Sequence, residues 1–507
     1  MVFSISPGSY WLKSDGRPPR YAALDGDLTA DVAIIGAGIT GLTAADHLVR
    51  QGRKVVVIEA GRVGSGTTGG TSAHLDAHPE RNPRTHIRDF GEDAARAFTR
   101  ARLQAIDFIE QRIGELGGDC DFKRIDAFLY TEDPDHADRL REQVSDFEKI
   151  GLPSEIAGQD VGLPFEPAFA VRFPRMARFH PIAYLRLLAE AVAKSGGIIH
   201  EETFAQPPEG GDRPTIETNR GTVRANAVLV TTHSPYLGIS NYDMRVAPYQ
   251  SYLIAARTGK PIGDALYWDD ADPYHYIRIA GSSDPGLLLI GGGDHKTGQA
   301  VDERDAWMKL EDYARQRFGD IPVEQRWSAE LFEPDDGVPF AGAVPSMKNV
   351  YLATGFSGVG LTFGTACGGL LADLVSGRDN ELASIFSPAR VKPLAEASEF
   401  VKENLNVAKE YVKGTFEGEK IDSLDEVPAG EGRLVRFKGH TLAVYRDGAG
   451  LTHAMSPACT HAGCNVHWNP AETTWDCPCH GGRYSATGER IYGPPPQDLK
   501  KKPLQEL

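Results

Sequence analysis

Apolar positions near the start of the chain follow a strand, turn, helix, strand order. Residues 32–35 form a short apolar run, Leu42, Ala45, Leu48 and Val49 recur at helical spacing, and residues 55–58 form a second run. Residues 89–117 carry a helical pattern through Phe90, Ala97, Phe98, Leu103, Ile106, Phe108 and Ile109. A second helix over 181–196 leads to an apolar strand at 228–232, which predicts a return to the same parallel sheet. Between 247 and 293 the segments QSYLIAA, YHYIRIA and GLLLIGG predict antiparallel strands. Residues 350–354, the turn GFSGVGLTFG and a helix to Leu374 repeat the first order, so one sheet is assembled from separated segments. Leu394, Val401, Leu405, Ala408 and Val412 then predict one amphipathic helix with a face packed on a neighbouring domain.

The length of 507 residues corresponds to about three structural units. Lys and Arg number 54 against 70 Asp and Glu, a formal charge of −16, which is the wrong sign for binding nucleic acid through its phosphates. The apolar runs fall short of the 18 or more residues of a membrane span, so no transmembrane segment is expected. Residues 1–10 (MVFSISPGSY) lack a basic stretch followed by an apolar core, and the expected location is the cytoplasm.

Gly36, Gly38 and Gly41 form GxGxxG between the first strand and its helix, and Glu59 ends the next strand. The first glycine permits a tight turn, the second lets a pyrophosphate approach the helix N-terminus, and the third allows close helix–strand packing. The acidic residue can accept from a ribose. Two further Gly/Ser/Thr-rich loops, 61–71 with Thr67 and Thr68 and 353–364 with Gly355, Gly358, Gly360 and Thr362, suit a long, buried dinucleotide. Only one complete GxGxxG unit with its acidic residue is present, which argues against NADH as electron source.

The segments DVAIIGAGITGLTAADHL, VVVIEAG, HPIAYLRLLAEAVAKSGG, VLVTTHSPY, DGVPFAG and YLATGFSGVGLTFG resemble the D-amino-acid oxidase and glycine or sarcosine oxidase family. The resemblance implies FAD, and dehydrogenation of a carbon–nitrogen bond in an amine or amino acid. It also implies a Rossmann-like FAD domain (28–90, 176–245, 325–385) with an inserted antiparallel-sheet substrate part (91–175, 246–324), together spanning 1–390. No motif for covalent flavin attachment stands out; His74, near the flavin loop, reads as a polar loop residue.

Four of the six cysteines fall between 459 and 479. Cys459 and His461, then Cys477 and His480 after fifteen intervening residues, give C-x-H and C-x-x-H pairs, a donor set for a Rieske 2Fe-2S centre or for zinc. The sequences CTHAGC and CPCHGG resemble the cytochrome bc complex subclass of Rieske proteins. That resemblance selects the iron–sulfur cluster, implies a disulfide between Cys464 and Cys479, and matches residues 493–496 (GPPP) to a loop over the cluster. A helical linker at 391–426 and a small all-β Rieske domain at 427–507 complete the expected α/β + β architecture. The whole order resembles bacterial FAD-dependent oxidoreductases that carry a Rieske domain.

The expected activity is a dehydrogenase whose two electrons leave one at a time through the cluster to an acceptor protein or quinone. A redox-sensing or electron-transfer protein without substrate turnover is the alternative. A Rieske oxygenase is disfavoured because no two-His, one-carboxylate motif stands out. Candidate substrate residues are Arg278 as a carboxylate clamp, Tyr249, Tyr274 and Tyr276 as pocket walls, His275 and His295 as proton-handling groups, and Asp336 facing the flavin or shaping a turn. Gly482 stands where the Rieske subclass usually has a serine hydroxyl donating to cluster sulfur, while Tyr484 matches its second donor. Donors to cluster sulfur raise the potential, so Gly482→Ser is expected to raise the cluster midpoint potential in a spectroelectrochemical titration, and an unchanged potential would remove this explanation.

Overall fold

The computed structural model describes residues 8–14, 20–158, 160–300, 302–391, 393–416 and 418–504. The opening segment MVFSISP and the side chain of Leu394 lie outside the described residues.

The first sheet has the order Phe340–Ala343, Val350–Thr354, Gly221–His233, Leu28–Ile35, Val55–Ile58, Ile198–His200. Along this order the strands are parallel except at the Phe340–Ala343 edge, with Val32 opposite Val55 on one side and Ala227 on the other, and a seventh strand, Thr215–Thr218, pairs antiparallel with Gly221–His233. Both faces are covered, so the central strands are apolar throughout: Ala33, Ile34, Val55, Val56 and Val57 are fully buried. The helix Ile39–Arg50 packs on this sheet beside the helix Gly360–Val375. Gly364 and Gly368 let those two helices close, since a Cβ on either would collide with Thr40 or Thr43. The stretch Ser357–Val375 is long and apolar enough to cross a membrane by length and composition. Here Leu361, Cys367, Leu370 and Leu371 bury it in the core.

The second sheet is antiparallel for most of its width, in the order Val323–Pro334, Val246–Arg257, Asp284–Lys296, His275–Gly281, Leu266–Asp269, Lys123–Thr131, Phe169–Arg178, His74–Leu75. It draws its edges from segments expected in the flavin part: Val323–Pro334 pairs with Val246–Arg257, and His74–Leu75 pairs with Phe169–Arg178.

The helix Pro393–Phe416 leads to two small four-stranded sheets, Glu419–Lys420 to Thr452–Met455 and His467–Asn469 to Arg490–Tyr492. The predicted helix forms, but its apolar stripe faces solvent: Val401, Leu405 and Val412 are 53%, 65% and 59% exposed. Polar contacts orient it instead. Glu403 pairs with Lys296, Asn404 Nδ2 donates to the Met244 carbonyl at 3.0 Å, and Asn465 Nδ2 donates to the Gly414 carbonyl at 2.6 Å.

Gly41 sits where the helix Ile39–Arg50 meets the turn, and a Cβ there would collide with the Gly36 carbonyl oxygen and Thr231 Oγ1. Gly41→Ala is expected to cost roughly 1–3 kcal/mol, the range for overpacking, read as a lower urea midpoint of the flavin part; an unchanged midpoint would show that the helix can move away.

Candidate flavin cavity and iron–sulfur site

A cavity of about 520 Å³ runs from the glycine turn to the antiparallel sheet. Gly36 has φ +104°, and a Cβ there would lie 2.7 Å from the Thr231 carbonyl oxygen. Gly38 faces Thr68, whose hydroxyl accepts from the Ile39 amide at 3.2 Å. Glu59 accepts from the Ala37 amide at 2.9 Å and the Gly61 amide at 2.8 Å. Burial raises its carboxyl above the usual range and these amides oppose the rise. Gly36, Gly38, Glu59, Thr67, Thr68, Gly358 and Gly360 line the cavity. A helix N-terminus beside an uncluttered glycine backbone fits a pyrophosphate. Gly41, Gly355 and Thr362 do not line it: Gly41 sets the helix packing, Gly355 turns at φ +74° against Pro334 and Val246, and Thr362 accepts from Arg102 Nε at 3.2 Å.

At the sheet end the walls are Trp268, Tyr274, Tyr276, His74 and Glu80. Glu80 accepts from the Gly358 amide at 2.8 Å, and burial together with Glu333 holds its carboxyl well above the usual range. Burial also raises Asp294 to about 7, and its Oδ1 is buried without a hydrogen-bond partner. His74 packs against Trp268 and Tyr276 with its Nε2 likewise unpartnered.

Five of the expected residues lie outside the cavity wall. Arg278 is fully buried, donates to the carbonyls of Ala73, Ile279 and Ala280, and lies over Trp11, so its donors are consumed by backbone and cannot clamp a carboxylate in the cavity. Burial lowers its pKa to about 9. His275 projects from the opposite face of its strand, stacks on Tyr313 at 3.8 Å and bonds Asp269 at 2.8 Å. His295 bonds the Tyr252 hydroxyl at 3.1 Å, and Tyr249 reaches Glu403 at 3.5 Å; neither lines the cavity. Asp336 pairs with Arg390 at 2.7 Å and shapes the loop beneath the sheet.

In the last sheet pair, Cys459 and Cys477 are buried and free, while Cys464 and Cys479 form a disulfide with Cα atoms 6.5 Å apart. The rings of His461 and His480 stand 5.0 Å apart. Both ring nitrogens of His461 are buried without a hydrogen-bond partner. Two thiols facing each other beside an unsatisfied imidazole are a donor set that fits a 2Fe-2S cluster. Cys477 and Tyr484 donate to Cys459 and hold it below the usual thiol range. Tyr484 Oη lies 3.2 Å from Cys459 Sγ. A Cβ on Gly482 would lie 3.3 Å from that sulfur but only 2.5 Å from Pro495 Cγ. The proline loop therefore occupies part of the space a serine would need.

These loops rest on the flavin part. His461 Nε2 is 3.7 Å from Asp243 Oδ2, both nearly inaccessible. Gln299 Nε2 donates to the Pro478 carbonyl at 3.1 Å, and Gln250 Nε2 donates to Glu472 at 3.0 Å. Arg490, Ile491, Tyr492 and Gly493 line the flavin cavity from the far side. Sequence reasoning missed Tyr492, Arg490, Trp268 and Glu80. The one available signal was that Arg490 and Tyr492 immediately precede the GPPP loop.

Comparison with known proteins agrees with both halves of this geometry. Residues 31–374 match the family model for FAD-dependent oxidoreductases (DAO), and 419–503 match the Rieske [2Fe-2S] domain. The chain is 33% identical over 499 residues to YhfW of Bacillus subtilis (strain 168), a protein assigned provisionally as a Rieske 2Fe-2S iron–sulfur protein, covering 98% of this chain and 97% of that one. It is 26% identical over 387 residues to the gamma-glutamylputrescine oxidoreductase of Escherichia coli (strain K12), covering 73% and 89%. The crystal structure of glycine oxidase from Geobacillus kaustophilus superposes with TM-score 0.61 at 21% identity, covering 72% of this chain and 99% of that one. The chain belongs to the DAO family of FAD-dependent oxidoreductases and carries a C-terminal Rieske [2Fe-2S] domain.

Proposed function

We propose that this protein is a dehydrogenase that oxidises a C–N bond of a cationic amine and passes the electrons one at a time through its Rieske cluster to an external acceptor protein or quinone. When bound, FAD supplies the two-electron acceptor for that bond and the cluster supplies the one-electron outlet. The observation that carries the reading is the docking of the cluster loops on the flavin part, with residues 490–493 forming a wall of the flavin cavity. In this reading Cys459, His461, Cys477 and His480 hold the cluster. The glycine turn, Glu59 and the Thr67–Thr68 loop hold FAD.

The donor end favours an amine over an amino acid. Arg278 is spent on backbone carbonyls, whereas Trp268, Tyr274 and Tyr276 offer ring faces and Glu80 a buried carboxyl. A bound ammonium would offset the burial that raises the Glu80 carboxyl, and aromatic faces attract cations. A redox sensor without turnover has no need of such a chamber.

Anaerobic addition of diamines and N-alkylamines is expected to bleach the flavin and raise the paramagnetic signal of the reduced cluster together. Flavin that no amine bleaches, although light reduces both centres, would leave the electron-transfer reading in place. Flavin fully reduced beside an oxidised cluster would break the internal route. Glu80→Gln is expected to raise the KM for a cationic amine roughly tenfold, as for a lost charged hydrogen bond, with kcat changed far less; an unchanged KM would remove Glu80 from amine binding.

A further inference from the structure

The strand Arg490–Tyr492 belongs to the cluster sheet, yet its contacts across the module boundary are with walls of the flavin cavity. The Tyr492 hydroxyl lies 2.5 Å from His233 Nδ1 and 3.3 Å from Thr67 Oγ1, and Thr67 in turn lies 3.1 Å from the same imidazole nitrogen. The ring of Tyr492 also packs near Phe332. Two residues earlier, the guanidinium of Arg490 stacks on Phe204 at 3.3 Å and donates to the Tyr236 hydroxyl at 3.1 Å. Thr67, His233, Phe204 and Tyr236 come from the flavin part and themselves line the cavity.

The other side of this strand is the cluster site. Tyr492 is paired with Arg483, next to the CPCHGG loop, and a Cβ on Gly493 would collide with the Gly481 carbonyl. One stretch of four residues thus separates the flavin cavity from the loop bearing Cys477 and His480. It offers the cavity a cation and a phenol, groups suited to an anionic dinucleotide with hydroxyl-bearing sugars.

We propose that Arg490 and Tyr492 are FAD-binding residues contributed by the Rieske domain, so that the flavin site is completed only when that domain is docked. By linkage, whatever affinity the docked domain lends to FAD, FAD returns to docking. The inference rests on the FAD assignment and not on the identity of the donor. Its test therefore uses no amine, and a failed amine screen leaves it untouched.

The test is FAD titration of the full-length protein, depleted of flavin with its cluster retained, followed by flavin fluorescence. Arg490→Ala and Tyr492→Ala are each expected to weaken FAD binding tenfold or more while the paramagnetic signal of the reduced cluster keeps its wild-type shape. Tyr492→Phe, which keeps the ring and loses the hydroxyl, is expected to give a smaller loss. Wild-type affinity in both alanine variants would overturn the proposal. A measurement on the unaltered protein guards against misfolded variants: FAD should slow amide exchange in residues 489–493 more than in the remote strand His440–Arg446. Exchange at 489–493 unchanged by FAD, or slowed no more than in that strand, would equally overturn it.

Discussion

A guanidinium buried where two parts of a chain meet has to be answered by charge, and Arg483 sets that condition for this protein. Its side chain is 3% exposed and pairs with Glu472 at 2.5 Å and Asp476 at 3.1 Å. Removing one partner of such a group is costly because an uncompensated charge remains. Glu472 is also held by Gln250 of the antiparallel sheet, which donates to Ser328, and Glu330 beside it takes the Thr297 hydroxyl at 2.8 Å. The polar network therefore crosses from the cluster sheet into the sheet that roofs the flavin cavity. The CPCHGG loop ends at Arg483 itself, so its position follows from the same network.

Much of the cofactor chemistry was legible in the sequence because its determinants are local. A dinucleotide turn needs glycines at fixed offsets, and two cluster loops need their ligands within a few residues of each other. The structure places Gly36, Gly38 and Glu59 at one cavity, the buried thiol of Cys459 beside that of Cys477, and the ring of His461 beside that of His480. Gly41, Gly355 and Thr362 were legible as parts of the same segments, yet they support the cavity from behind.

The substrate end was not legible because strand alternation gives a period without saying which face meets the cavity. His275 has the opposite parity to Tyr274 and Tyr276 and points to Tyr313. Arg278 shares their parity but lies too far along the strand and reaches the carbonyls of residues 72 and 73. Tyr249 shares parity with Ser251, and the register shift between Gln250 and Tyr252 breaks the alternation there. The linker stripe failed for a related reason: helical periodicity locates an apolar face, whereas the polar contacts of Glu403 and Asn404 decided which face docks.

The linker helix of 24 residues is a rod of about 36 Å at 1.5 Å per residue. It ties the cluster sheets to the flavin part within one molecule, so their encounter is unimolecular. For tethered partners the effective concentration is set by the length and stiffness of the tether and is greatest where its length matches the span between them. A contact surface built from a few polar bonds, one buried ion network and the packing of Arg490 on Phe204 and of Tyr492 near Phe332 then need not be tight enough to hold two separate chains together.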